Sequence, residues 1–125
     1  MPISAIVVDD EDDIVNTFTE LLELYKINVI GTAKDGKDAV EQFKKLRPDV
    51  VFLDIMMPEF DGYYALKEIR MIDESAIVIL VTGGGPEDID KLSELNPSAI
   101  IHKPYQMDTL MHVLQDDLKL EIPSK

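Results

Sequence analysis

The sequence predicts an α/β domain built on one doubly wound, five-stranded parallel sheet with helices on both faces. Three observations predict it. Five short apolar runs rich in β-branched residues recur along the chain. Each is followed by a segment whose apolar residues fall at helical spacing. Polar residues stand where four of the five runs end. Strict strand-helix alternation argues for a parallel sheet covered on both sides, with right-handed crossovers.

The first strand is read at Ile3–Val8, apolar and β-branched. Five consecutive acids, Asp9 to Asp13, follow it. Ile14, Phe18, Leu21, Leu22 and Tyr25 then recur at helical spacing, with Asp12 or Asp13 expected as the cap. Residues 27–33 read as a second strand, weakened by Gly31, and Asp35-Gly36 as a turn. Ala39, Val40, Phe43 and Leu46 give a second helix that stops before Pro48. The third strand, from Val50 to Leu53, is wholly apolar and ends in Asp54.

After Met57-Pro58, Asp61-Gly62 reads as a turn, and Tyr63, Leu66, Ile69 and Ile72 line a third helix. Residues 76–81 form a fourth buried strand closed by Thr82. The loop Gly83-Gly84-Gly85-Pro86 leads to a helix carrying Ile89, Leu92 and Leu95. Residues 98–102 form the fifth strand, ending at Lys103-Pro104. Met107, Leu110, Met111, Leu114 and Leu118 mark a last helix, and residues 122–125 a short tail. Met107 and Met111 read as core residues. His102 reads as a strand residue and His112 as a surface residue of the helix.

A chain of 125 residues accommodates one domain over residues 1–125, with its core at about 3–120. It is 46% hydrophobic and 30% charged, the balance of a globular domain rather than a disordered segment. Cysteine is absent, which excludes disulfides and thiolate chemistry. The net charge of −13 disfavours direct nucleic-acid binding and anionic membranes. No targeting leader or apolar span is visible, so a cytoplasmic location is expected.

In a parallel sheet the carboxyl ends of the strands share one edge, where ligands bind in open α/β folds. Asp9 and Asp10, Asp54, Thr82 and Lys103 would meet there. Clustered carboxylates repel and their pKa values rise unless a cation sits among them. A hard divalent ion such as Mg²⁺ suits oxygen ligands of this kind. Asp10 and Asp54 would bind directly and Asp9 through water. A carboxylate can also attack phosphorus to give an aspartyl phosphate. Lys103, the metal and the Thr82 hydroxyl would then neutralise or bond the transferring oxygens. Thr82 is the weakest member, since a β-branched residue closing a strand needs no special role.

This ordered set, together with Met57-Pro58, Asp61-Gly62 and Lys103-Pro104-Tyr105, resembles the receiver (phosphoacceptor) domain of the two-component response-regulator family. The resemblance spans about residues 3–120. It implies the flavodoxin-like strand order 2-1-3-4-5 and a phosphorylation-controlled signalling switch rather than an enzyme with metabolite turnover. It implies that Asp54 accepts a phosphoryl group from a sensor histidine kinase or histidine phosphotransfer protein. Mg²⁺ (or Mn²⁺) would be held by Asp9, Asp10, Asp54 and the Met56 carbonyl. Thr82 and Lys103 would contact the phosphoryl oxygens, and the bond before Pro104 would be cis. The output is expected to be a downstream protein or a linked domain that lies outside these residues.

Two departures bear on the readout. Ile100 stands where the family often has an aromatic residue, three before the lysine, and Gly83 to Gly85 loosen the loop after Thr82. Ordering of that loop, rather than an aromatic rotamer, is expected to carry the signal. The alternative is a Mg²⁺-dependent phosphohydrolase with an aspartyl nucleophile, of which residues 10–14 are only a partial echo. A flavodoxin-like cofactor binder would need a Ser/Thr/Gly-rich loop after the first strand, and this chain has acids there.

Overall fold

Every residue of Val50–Asp54 (β3) is buried, as befits a strand covered on both faces. The computed structural model describes residues 3–54, 61–83, 94, 96–103 and 106–118. Within them β3 lies at the centre of a five-stranded sheet in the order β2-β1-β3-β4-β5. Its partners are β1 (Ile3–Val8) and β4 (Ile77–Thr82); β2 (Ile27–Ala33) and β5 (Ala99–His102) form the edges. All four pairings are parallel. Between Ala5 and Ile6 the register with β2 shifts, so that Val29 and Gly31 find partners and Ile30 is skipped. Ile30 is one of the exposed apolar residues.

Period-2 alternation divides the core into two layers. Ile6, Val8, Val51, Leu53, Val78 and Leu80 pack against α2 (Gly36–Leu46) and α3 (Asp61–Ile72). Ala5, Val7, Val50, Phe52 and Ile79 pack against α1 (Asp12–Leu24) and the C-terminal helix α4 (Met107–His112). On α1 the buried stripe is Val15, Phe18 and Leu22. Ile14, read as a core residue, sits one step off that stripe and is 37% exposed. Phe18 meets the edge of Phe52 at a centroid distance of 5.2 Å and an interplanar angle of 87°, a favoured aromatic geometry. On α4, Leu110 and Met111 are buried and Met107 packs against the same layer, as read. Past His112 the helix widens into a π-type turn over Val113–Asp117, closed by Leu118 N–H to the Val113 carbonyl at 2.9 Å.

Helix ends follow local chemistry. Asp35 caps α2, its Oδ1 accepting from Asp38 N–H at 2.8 Å. Gly36 is thus the first helical residue rather than part of a separate turn. Arg47 ends α2 in the left-handed region, φ 45°, with its N–H on the Phe43 carbonyl at 3.0 Å. Neither Asp12 nor Asp13 caps α1. The cap position is Glu11, with no side-chain capping bond, and Asp12 and Asp13 fill the first turn, where acids complement the helix dipole. Asp61 and Gly62, read as a turn, begin α3. Gly31 weakens no packing: a Cβ there would lie 2.7 Å from Leu46 Cδ1, so its absence lets α2 close on β2. The helix read at Ile89, Leu92 and Leu95 lies outside the described residues.

Phe52 is 1% exposed, so Phe52→Ala should cost about 3–5 kcal/mol in urea unfolding. Leu24→Ala, at a site 65% exposed, should stay within about 0.5 kcal/mol of the parent.

Candidate functional site

At the carboxyl edge of the sheet, β1 delivers Asp9, β3 delivers Asp54, β4 delivers Thr82 and β5 delivers Lys103. Asp9, Asp54 and Lys103 come together there, and Thr82 joins them through its backbone carbonyl. Asp9 N–H bonds the Ala33 carbonyl of β2 at 3.1 Å, extending the sheet by one residue. Its Oδ1 accepts from Glu11 N–H at 3.0 Å, which orients the carboxylate and turns the chain into α1. Lys103 N–H bonds the Thr82 carbonyl at 2.8 Å and does the same for β5. Phe52 and Asp54 share a face of β3, so the Phe18–Phe52 pair forms an apolar floor beneath the acids. Val7, Val81 and Ile14 line the same hollow.

Burial separates the acids. Asp9 is 4% exposed and Asp54 7%, whereas Asp10 is exposed to solvent. Thr82 is fully buried. Lys103 Nζ lies 3.8 Å from Asp9 Oδ2 and 3.6 Å from Asp54 Oδ2, so one ammonium serves two carboxylates. Burial pushes the Asp9 carboxyl up from 3.8 to about 6. The Glu11 N–H opposes that rise, the Asp54 charge adds to it, and Lys103 offsets part of it. The rise is thus chiefly the cost of holding a carboxylate away from water, with the neighbouring Asp54 charge a lesser cause.

The donor set fits a hard divalent cation. Asp9, Asp10 and Asp54 each offer an oxygen, and these atoms lie within 4.8 Å of one another. Carboxylate oxygens gathered this closely are the donor type a hard divalent ion takes, and Asp9, Asp10 and Asp54 would hold it, with water as the usual further ligand. The exposed Asp10 leaves one side open for exchange with solvent. Met56 and Pro104, read as site residues, lie outside the described residues, as do Met57, Pro58, Tyr105 and the loop from Gly84 to Pro86. Gly83 is exposed. Ile100 is half-buried and packs with the layer that holds α2 and α3.

A family model for the response regulator receiver domain matches residues 5–115. The chain belongs to that family. It is 34% identical over 114 residues to the chemotaxis protein CheY of Halobacterium salinarum, covering 90% of this chain and 94% of that one. It is 39% identical over 125 residues to a protein-glutamate methylesterase/protein-glutamine glutaminase of Symbiobacterium thermophilum, where the match covers 97% of this chain and only 34% of that protein. Among solved structures, the CheX-CheY-BeF3-Mg complex from Borrelia burgdorferi contains a chain that superposes with a TM-score of 0.87 at 27% identity. The match covers 97% of this chain and 92% of the other. This receiver domain is a phosphorylation-controlled signalling domain of the two-component type. None of these comparisons supports the phosphohydrolase alternative. No helix among the described residues is long and apolar enough to cross a membrane.

Sequence reading missed the aromatic floor and the Glu11 N–H contact to Asp9. The period-2 relation of Phe52 to Asp54 was an available signal for the first; nothing local signalled the second.

Asp9 makes stability depend on pH. Its raised value, about 6 against 3.8, means that the folded state binds the proton more tightly than the unfolded chain. That contribution is fully present below pH 3.8 and is lost as pH rises through about 6. In EDTA, urea unfolding should register a loss on the order of 1–3 kcal/mol across this window. Asp9→Asn should flatten that slope.

Proposed function

We propose that Asp54 is the phosphoacceptor of this receiver domain, with Lys103 as the cation that answers the charge of the transferred group. The observation that carries the reading is the Lys103 ammonium set between Asp9 and Asp54, 3.8 and 3.6 Å from their carboxylates, at the sheet's carboxyl edge. A Borrelia relative bearing beryllium fluoride and magnesium supports the same pairing of an anionic group with a hard cation.

The donor is the phosphohistidine of a sensor histidine kinase or of a phosphotransfer protein. An Asp54 carboxylate oxygen attacks phosphorus, the O–P bond forms as the P–N bond breaks, and the departing imidazole keeps the electron pair and takes a proton. Lys103 shifts from bridging two carboxylates to contacting a phosphoryl oxygen, and the Thr82 hydroxyl donates to another. Asp9, Asp10, Asp54 and the Met56 carbonyl would hold Mg²⁺ or Mn²⁺. Bound there, the ion supplies charge neutralisation for the transferring oxygens. The rigid β1–β3 pair holds Asp9 and Asp54 in place, while the buried aromatic floor excludes water from behind them.

Residues 1–125 act as one receiver unit that turns over no metabolite, in the cytoplasm, without direct nucleic-acid contact or membrane insertion. Phosphate adds up to about two negative charges, which biases the loop after Thr82 and the surface offered to a downstream protein or a linked output domain.

Incubation with Mg²⁺ and acetyl phosphate should add one phosphoryl group by intact mass, and Asp54→Asn should add none. Lys103→Ala should slow the reaction about 10²–10³-fold, the usual loss of one preorganised charge-stabilising group. Rapid hydrolysis of many phosphate esters without an adduct would sink the reading. At a hundredfold excess over its Kd, Mg²⁺ should stabilise the fold by about 2.7 kcal/mol, and Asp10→Asn should weaken that gain. Hydrogen exchange at residues 83–90 should slow on phosphorylation; an unchanged rate would remove the loop from the readout.

A further inference from the structure

At the end of the sheet opposite the acids, Arg70 of α3 reaches three acceptors on two other segments. Its Nε donates to the Asn96 carbonyl at 2.9 Å and its Nη2 to Ser98 Oγ at 3.1 Å, while Nη1 donates to the Ala76 carbonyl. Ser98 Oγ also accepts from Val78 N–H at 3.0 Å, and Ser98 N–H bonds the Val78 carbonyl at 2.8 Å. All three acceptors are neutral oxygens. A guanidinium fork can hold several acceptors in a fixed plane, which a flexible ammonium cannot. Asn96 is in the left-handed region, φ 58°, so the fork grips the chain at a conformationally restricted point just before β5.

That grip matters because β5 is short and, among the described residues, lies at the edge of the sheet. It has four residues, pairs with β4 alone in the sheet, and ends one residue before Lys103. A strand advances about 3.3 Å per residue, and a one-residue slip turns every side chain to the other face. Either change would take Lys103 away from Asp9 and Asp54. The sheet bond from Lys103 N–H to Thr82 holds the top of β5; the Arg70–Ser98–Val78 cluster holds the bottom.

We propose that Arg70 is a positioning residue for phosphoryl transfer: its fork fixes the register of β5 on β4 and so the reach of Lys103. The catalytic part of this proposal rests on the reading of Asp54 as phosphoacceptor. A group misplaced by about 1 Å can cost about 10²-fold in rate. Arg70→Met keeps the apolar stem and removes the fork; with acetyl phosphate it should react about 10–100-fold more slowly than the parent, with Mg²⁺ affinity unchanged because the acids sit on other strands. Ser98→Ala, a smaller perturbation, should shift the rate in the same direction. In a Lys103→Ala background, Arg70→Met should cause no further loss. Hydrogen exchange at the Lys103 amide should quicken in Arg70→Met. A full rate in Arg70→Met, an equal loss with and without Lys103, or a parallel loss of Mg²⁺ affinity would overturn the proposal. If the parent protein takes up no phosphoryl group, the phosphoacceptor reading fails; the Lys103 amide then decides on Arg70 alone, quickened exchange supporting the clamp and unchanged exchange refuting it.

Discussion

Two carboxylates buried side by side are the constraint on which the rest of this structure depends. Asp9 and Asp54 are each less than a tenth exposed, over a floor of apolar side chains. Placing like charges there is unfavourable unless nearby groups compensate. The Glu11 N–H offers one contact, and Lys103 reaches both acids from the end of β5, across β4. The Asp9 carboxyl is still pushed up to about 6, chiefly by burial. Removing a carboxylate from water costs free energy that its contacts with Glu11 and Lys103 only partly offset.

The two sides of the site differ for a simple reason. Asp9 and Asp54 are carried on two interior strands, β1 and β3, while Asp10 stands one residue past Asp9 and faces solvent. Peptide geometry turns consecutive side chains in different directions, so a doublet of aspartates supplies one buried and one exposed ligand. The interior half is buried and the outer half meets solvent. Lys103 completes the site from the edge strand β5. The fixed acids and the cation that answers them therefore depend on unequal amounts of structure.

Packing on the two faces explains why a short chain can keep this arrangement. Residues of β1, β3, β4 and β5 alternate between a layer with α2 and α3 and a layer with α1 and α4, while the skipped Ile30 shifts the alternation along β2. Asp54 falls on the same side as Phe52, so the aromatic pair with Phe18 supports the acid directly. Ile100 belongs to the other layer. Ile100 is aliphatic and partly buried there, so that position offers no aromatic ring.

Much of this was legible in the residues themselves. The runs at Ile3–Val8, Val50–Asp54 and Ile77–Thr82 announced buried strands because wholly apolar, β-branched stretches suit a sheet covered on both faces. Their terminal polar residues named the site, since alternation of strand and helix puts those termini on one edge. Less was legible where a choice depends on neighbours. Whether Ile14 or Val15 faced the sheet turned on the angle at which α1 settles. Whether Asp12 capped α1 turned on where the first helical turn begins, which is at Asp12 itself. Gly31 looked like a weakness until Leu46 was seen to need its space. Sequence alone determined the element types and the set of residues at the strand ends, because periodicity and residue chemistry are local. Tertiary structure alone decided that Asp9 is buried and Asp10 is not, that one lysine bridges two acids, and that Arg70 grips the chain before β5, because those are distances between segments that only the folded packing brings together.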